Sequence, residues 1–203
     1  MTKPDKKDQI IGAAEKLFAG VGYDSTSVRD ICAEANVNVA MINYYFGSKE
    51  GLLKEMIERK SILMRGRMEA LLQDKALTSH EKLRIAVEHM LERMFNHRPF
   101  TLSVIREMTK INQPEMRKMI LGLFLPNMKL MREIIKTGIR KKEFRKVDVE
   151  LMICTISGTA WYVISSGDLI IPGLEETEAV EDLYKQRLLK HLYQLIHNQL
   201  VIE

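Results

Sequence analysis

Apolar residues recur at helical spacing through most of this chain, and the first run is short and sharply bounded. Between residues 10 and 21 they follow the i, i+3, i+4, i+7 pattern of an amphipathic helix, which Gly20 and Gly22 then end. No segment alternates as a strand would, so the sequence predicts an all-α fold. Further helices are predicted over residues 52–73, 79–96, 100–109, 115–142, 148–166 and 177–201, separated by Pro99, Pro114 and the segment 170–176.

Two shorter helices are predicted within residues 27–46. Ser27 and Asp30 have the spacing of a capping box at the start of the first helix. Asn38 can cap the second helix. Asn36 stands at the turn between them, where asparagine tolerates a left-handed backbone better than most residues. Two short helices joined by a brief turn and braced by a third form a helix-turn-helix unit.

Helix length divides the chain into two predicted domains. Residues 1–50 are predicted to form a three-helix helix-turn-helix domain at the N-terminus. Residues 51–203 are predicted to form a larger C-terminal domain of longer helices. Hydrophobic residues make up 46% of the 203 residues, which is ample for a packed core.

Cysteine usage and the N-terminal sequence indicate a cytoplasmic protein. Cys32 and Cys154 are far apart and neither belongs to a CxxC pair, which fits a reducing compartment. The N-terminus lacks the apolar segment of a signal peptide. The uncharged stretch 151–167 is rich in Thr, Ser and Gly, so we interpret it as a buried helix rather than a membrane span.

The net charge of +4 mildly favours an anionic partner. Residues 1–50 hold six basic and seven acidic residues, so a nucleic-acid site there must be a local cluster.

The second short helix has an outer face that suits the major groove of DNA. That groove admits one α-helix, whose exposed side chains reach the base edges. We expect Asn43 to donate to and accept from an adenine edge. We expect apolar contacts with thymine methyl groups from Val39, Ala40 and Met41.

Residues that flank this face are candidates for contacts with phosphate. Tyr44 and Tyr45 can donate hydrogen bonds to phosphate oxygens, and Lys49 lies in the first turn of the next helix, where the dipole favours an anion. Arg29 could reach either a guanine or a phosphate. The alternative is that the tyrosines are core aromatics, as we expect for Phe46.

Four landmarks between residues 13 and 53 match one family: LFAGVGY, TSVRDI, the turn at residues 35–37, and YYFGSKEGLL. The segment resembles the DNA-binding domain of the TetR family of bacterial transcriptional regulators. The resemblance implies base contacts from Arg29, Val39, Ala40, Met41 and Asn43, and phosphate contacts from Ser27, Tyr44, Tyr45 and Lys49. The departures from the family pattern are Asn36 for a turn glycine, Cys32 for a common alanine, and the apolar pair Ala40 and Met41.

Residues 51–203 resemble the family only in size and helical layout. That resemblance implies a domain that dimerises through its last two helices and encloses a ligand. Apolar faces on these helices agree with a four-helix bundle between two copies, and an intramolecular core is the alternative. The expected interface residues are Met152, Ile156, Gly158, Val163, Leu188, Leu192, Leu195 and Ile196.

The chain contains thirteen methionines, which suit either a pocket for an apolar molecule or the filling of a helical core. The expected pocket residues are Met64, Met68, Met90, Met94, Phe95, Met108, Phe124, Met128 and Trp161. The five histidines form no arrangement typical of a metal site, so we expect neither a metal nor a cofactor.

These features predict a homodimeric, ligand-responsive, sequence-specific regulator of transcription. By resemblance it is a repressor, released from a palindromic operator by a small, largely apolar effector. The expected partners are double-stranded DNA, a second copy of the chain and the effector, with no membrane. The alternative is a small-molecule-binding helical protein or an enzyme with its active site in residues 51–203. We predict no enzyme, because the sequence has no nucleophile motif, glycine-rich phosphate loop or metal-ligand spacing.

Overall fold

The structure, a computed structural model, describes residues 5–110, 112–170 and 178–202, and omits the side chains of residues 63, 64, 167, 168, 170 and 178. The described residues form nine helices and no strand, so the all-α prediction is confirmed. Residues 171–176 of the predicted break lie outside the described residues. The helices are α1 (Lys6–Gly20), α2 (Val28–Glu34), α3 (Val39–Phe46), α4 (Lys49–Gln73), α5 (Ser79–Asn96), α6 (Arg98–Thr109), α7 (Pro114–Arg140), α8 (Val149–Ile170) and α9 (Glu178–Leu200).

The chain separates into two compact units, and α4 and α7 contribute residues to both. The first unit comprises residues 1–62 and 99–124, and the second comprises residues 63–98 and 125–203. The boundary that we predict between residues 50 and 51 stays a prediction.

The first unit has one hydrophobic core to which six helices contribute. The apolar spacing of α1 places Ala14 and Phe18 in this core, while α3, only eight residues long, contributes Ile42. A helix this short gains its stability from packing rather than from its own hydrogen bonds. Further core residues are Ile10, Ile31, Leu52, Leu53, Met56, Ile57, Phe100, Val104 and Ile120.

Ion pairs join distant segments around the first core. Lys7 and Arg59 both contact the Glu55 carboxylate, at 2.7 Å and 2.9 Å, and Arg59 also contacts Asp8 at 2.6 Å. These contacts link α1 to α4. The hydrogen bonds from Lys7 and Arg59 lower the pKa of the Glu55 carboxyl. Lys110 similarly links the end of α6 to the loop before α2, since its ammonium lies 2.5 Å from Asp24 and 2.6 Å from the buried Glu107.

The second unit is built around α5, which packs against both α8 and α9. Its core residues are Leu83, Val87, Leu91, Ile134, Ile135, Ile156, Ile164, Leu192 and Ile196. Phe144 is 2% exposed and packs directly on Gly138 of α7, where any added Cβ would overlap its ring. Phe144 also pairs with Val201 in an isolated antiparallel bridge, which fixes the end of α9 against the segment after α7.

Candidate nucleic-acid interface

Local capping determines where α2 and α3 begin. Ser27 Oγ accepts from the Asp30 amide at 3.1 Å, and the Ser27 amide donates to Asp30 Oδ2 at 2.7 Å. The predicted capping box is therefore present, and hydrogen bonds to the carboxyl from the Ser27 hydroxyl and then from the Ser27 amide lower the pKa of Asp30. Asn38 Oδ1 accepts from the Met41 amide at 3.1 Å and so caps α3. Asn36 has φ 50°, the left-handed conformation predicted for the turn between the helices.

The expected base-contacting residues of α3 divide between two environments. Ile42 is fully buried and fixes the helix on the core, so the opposite side of the helix faces outward. Val39 is 41% exposed, and Ala40 and Asn43 are exposed beside it. Met41 is half-buried and packs against the core, which leaves only part of its side chain available to a ligand.

Arg29 adds a positive charge beside this face. It lies in the first turn of α2, two residues after Ser27, and both side chains are exposed. Among the described residues, the Arg29 guanidinium has no hydrogen bond or ion pair, so its five donors face solvent.

The two tyrosines differ sharply in exposure. Tyr44 is 83% exposed, which is unusual for so large an aromatic residue unless it meets a partner. Tyr45 is half-buried against the core, and its ring packs edge-on against that of Tyr44, with a centroid distance of 5.1 Å. Phe46 also packs against the core, as predicted. Tyr45 thus supports the position of Tyr44 whether or not its own hydroxyl reaches a ligand.

Lys49 makes contacts that the sequence did not indicate. Its ammonium donates to the carbonyl oxygens of Tyr23 and Thr26, both at 2.9 Å. It also lies 4.2 Å from the centre of the Tyr23 ring, a cation–π distance. The lysine at the start of α4 therefore holds the loop that leads into α2. These partners are 23 and 26 residues away in sequence, so no local pattern could have revealed them.

Gly51 is a further residue that sequence reasoning missed. A Cβ at this position would overlap the backbone carbonyl oxygen of Phe46, the last residue of α3. Only glycine lets α4 approach the end of α3 this closely. The motif GSKEGLL therefore sets the angle of α3 as well as capping the next helix, where Ser48 Oγ accepts from the Gly51 amide at 3.0 Å.

The expected pocket residues are distributed over both units. In the second unit Met68, Met90, Met94 and Phe95 are buried, and Met128 and Trp161 are half-buried. Met108 and Phe124 belong to the first unit, where they pack against its core. The Met64 side chain lies outside the described residues.

Polar atoms inside the second unit lack partners. His89 Nδ1 and both side-chain polar atoms of Asn127 are buried without a hydrogen bond in the described part of the chain. Such groups are rare in native structures and call for a water or a ligand.

Most of the expected interface residues lie inside the second unit. Met152, Ile156, Leu188, Leu192 and Ile196 are buried within it, Val163 and Leu195 are half-buried, and Gly158 is exposed.

A separate apolar stripe lies on the outside of α8. It comprises Leu151 and Tyr162, which are 65% and 55% exposed, together with the exposed Cys154 and Gly158. These residues follow helical spacing and so share one face. By length and composition alone, the segment Val149–Ser166, with a mean hydropathy of 1.2, is apolar enough to cross a membrane. Only 28% of this segment is buried, because the stripe faces outward.

The sequence also matches known families and proteins. Residues 10–56 match the profile of the bacterial regulatory proteins of the tetR family, and residues 76–165 match the profile of the tetracyclin repressor-like C-terminal domain. The chain is 28% identical over 201 residues to the "Probable HTH-type transcriptional regulator YttP" of Bacillus subtilis, an alignment that covers 98% of this chain and 92% of the relative.

Solved structures share the fold over nearly the whole chain. The fatty acid degradation regulator FadR of Bacillus halodurans superposes with a TM-score of 0.77 at 24% identity, covering 97% of this chain and 96% of that one. The FadR of Bacillus subtilis, solved in complex with stearoyl-CoA, has a TM-score of 0.76 at 23% identity, covering 92% and 97%. With a helix-turn-helix at one end, both family profiles matched and a relative aligned from end to end, this chain belongs to the TetR family of bacterial transcriptional regulators.

Proposed function

We propose that the protein is a homodimeric repressor that binds a palindromic operator and is released by a small, largely apolar effector. The observation that carries the DNA-binding part is the outer face of α3, where Val39, Ala40, Asn43 and Tyr44 are exposed beside the exposed Arg29. Caps at both short helices and the buried Ile42 fix this face, so it is organised before DNA arrives. Preorganisation lowers the entropic cost of binding.

Each residue has a proposed role within this face. Arg29, Val39, Ala40, Met41 and Asn43 contact bases, while Ser27, Tyr44, Tyr45 and Lys49 contact phosphates directly or position the groups that do. In a dimer, two copies of α3 related by a two-fold axis would read half-sites about one helical turn apart, or a multiple of it.

The operator is testable by selecting bound sequences from a random duplex pool at fixed, near-physiological salt. We expect a palindrome to emerge. Asn43→Ala should relax base preference at one position of each half-site by about 1–3 kcal/mol, the value of one bidentate contact, while affinity for random DNA stays unchanged. Tyr44→Phe, which removes one phosphate donor, should instead weaken binding to all sequences. Equal losses on operator and random DNA for Asn43→Ala would refute the assignment of Asn43 to a base.

The proposed dimer would cover the stripe Leu151, Cys154, Gly158 and Tyr162 on α8, together with Leu183 of α9, which is 58% exposed. Gly158 has open space around its Cα, so a helix from another copy could approach closely. The residues Met152, Ile156, Val163, Leu188, Leu192, Leu195 and Ile196 would then support the interface from within or at its margin.

The proposed effector binds in the second unit, among the side chains of Met68, Met90, Met94, Phe95, Met128 and Trp161. The unpartnered polar atoms of His89 and Asn127 would give this apolar site a polar group to orient the ligand. Met108 and Phe124 pack against the core of the first unit, and the Met64 side chain lies outside the described residues, so a lining role for these three residues stays a prediction from the sequence. The stearoyl-CoA complex of the B. subtilis FadR supports a ligand with an apolar chain.

The effector can release DNA only if it binds the released state more tightly than the DNA-bound state. Stearoyl-CoA is therefore a suitable first probe on the operator complex, with coenzyme A alone as the control. Release by the acyl ester and not by coenzyme A would support an apolar effector. Release by both, or by neither, would contradict an acyl-chain ligand.

We also propose a cytoplasmic location and no enzymatic activity, since the matched relatives are transcriptional regulators. Turnover of a bound small molecule by the purified protein would overturn the second point.

A further inference from the structure

A groove on the second unit lies between the start of α5 and the last turns of α9. Its volume is about 440 Å³, within the range typical of small-molecule sites. It is lined by His80, Arg84, Gln186, Leu189, Lys190, Tyr193, Gln194, His197 and Asn198. None of these nine residues is a carboxylate, and eight of them can donate a hydrogen bond. A groove of this composition is complementary to an anion.

Arg84 is held in place without being neutralised. Its guanidinium lies 4.6 Å from the centre of the Tyr193 ring, and the Tyr193 hydroxyl donates to Glu88 at 3.3 Å. The ring thus orients the guanidinium, and Glu88 accepts its hydrogen bond from the tyrosine hydroxyl. Lys190, one turn before Gln194 and two turns before His197 on α9, has no ion pair among the described residues. Two full positive charges therefore face the same groove.

The other carboxylates near the groove are already engaged. Glu81 accepts from both the amide and the hydroxyl of Thr78, each at 2.8 Å, in the capping box of α5. Glu143 accepts from the Ser79 amide at 2.5 Å and lies 3.7 Å from Lys141. These acids stabilise the beginning of α5. Glu81 also attracts the Arg84 guanidinium and so offsets part of its charge, whereas the charge of Lys190 remains.

The two histidines lie together in the same groove as Arg84 and Lys190. The rings of His80 and His197 lie 6.0 Å apart, from α5 and α9 respectively. Burial, then Arg84 and then His197 lower the pKa of His80, while Glu81 raises it. An anion bound there would favour the protonated form of His80.

We propose that this groove is a binding site for a small polyanion, a molecule with phosphoryl or several carboxylate groups. Arg84 and Lys190 would supply the charge, since a guanidinium binds planar oxyanions bidentately and an ammonium binds them as a point charge. His80, His197 and Asn198 would supply further donors. The site is separate from the proposed effector pocket and does not depend on DNA binding.

The test uses the purified full chain without DNA, titrated calorimetrically with pyrophosphate and, in a second arm, with citrate. Ionic strength is held constant with NaCl, because salt screens exposed charges. Arg84→Gln and Lys190→Gln each remove one groove charge. Arg67→Gln and Lys75→Gln are the matched controls, since both residues are exposed in the same unit and neither lines the groove. The imidazole NMR signals of His80 and His197 provide an independent readout.

We expect at least one of the two anions to bind and to shift both imidazole signals. Each groove variant should weaken that binding about tenfold, the effect of losing one charge-assisted hydrogen bond, whereas the controls should match the parent. Lys190→Gln keeps the inference testable if removal of the Arg84 guanidinium from the Tyr193 ring unfolds α5. Binding of neither anion would overturn the inference. So would equal binding by all variants, which would indicate an adventitious ion only.

Discussion

Replacing Lys49 with methionine separates two roles for this residue, contact with DNA phosphate and anchoring of the loop before α2. The substitution removes two hydrogen bonds from an ammonium to backbone carbonyls, at 2.9 Å each, and one contact with the Tyr23 ring. Charged hydrogen bonds contribute about 1.5–3 kcal/mol each and an exposed cation–π contact about 0.5–1 kcal/mol. We take the lower value for each contact and subtract about 1 kcal/mol, because water replaces the ammonium at this half-buried site. The variant then loses about 2.5 kcal/mol of local stability.

Hydrogen exchange measured by mass spectrometry is the suitable assay, because it resolves local opening along the chain. A loss of about 2.5 kcal/mol should accelerate exchange of the slow amides in residues 23–35 by about sixtyfold. Lys54→Met is the matched control, since Lys54 lies on the same helix and is exposed. It should leave exchange unchanged.

Salt dependence of DNA binding then decides between the roles. If Lys49 only anchors the loop, Lys49→Met weakens binding but leaves the slope of log K against log salt unchanged. If Lys49 instead touches DNA directly, the variant should lower the magnitude of that slope by about 0.9 for each phosphate that it no longer neutralises. Unchanged exchange together with a reduced slope would refute the anchoring argument.

Three further predictions test the fold, the interface and the electrostatics. Gly51→Ala should destabilise the protein by about 1–3 kcal/mol in urea unfolding, because the new Cβ overlaps a backbone carbonyl. Gly66 lies on the same helix with open space around it, so Gly66→Ala should stabilise the protein by about 0.5–1 kcal/mol. Leu151→Glu should convert the dimer to monomer in sedimentation velocity, while Leu125→Glu, also at an exposed position but on α7, should not; a dimeric Leu151→Glu would count against the α8 interface. The pKa of the Glu55 carboxyl is lowered in the folded protein, so Glu55 stabilises the fold above its unfolded pKa, and this stabilisation is lost as pH falls through its folded pKa. Between about pH 5 and pH 3 the parent should therefore lose resistance to urea more steeply than Glu55→Gln.

The helix-turn-helix unit was predictable because its signals are local. Ser27 and Asp30 form the capping box, Asn38 caps α3, and Asn36 adopts the left-handed turn that its side chain permits. Each of these features depends on residues fewer than five positions apart. Helix bounds elsewhere follow from apolar periodicity and agree within a few residues.

The remaining features depend on contacts across the fold, which periodicity does not encode. An apolar face on α8 or α9 has the same sequence pattern whether it meets its own core or another copy. Ile156 and Ile196 are fully buried within the second unit, while Leu151 on the same helix as Ile156 faces outward. The roles of Lys49 and Gly51 were hidden for the same reason, since their partners belong to other elements.

The composition of the recognition face also bears on why a dimer is needed. Among the exposed α3 side chains assigned to bases, Asn43 alone can both donate to and accept from a base, since Val39 and Ala40 can offer only apolar contact. One bidentate contact discriminates by about 1–3 kcal/mol, whereas specific sites usually exceed non-specific DNA by about 4–10 kcal/mol. A single copy of α3 therefore falls short even if Asn43 performs well. Two copies double the contribution to about 2–6 kcal/mol, and Arg29 with the methyl contacts must supply the remainder. Since an asparagine pairs best with adenine and apolar side chains with thymine methyl groups, the contacts from α3 contribute most at half-sites rich in A·T pairs.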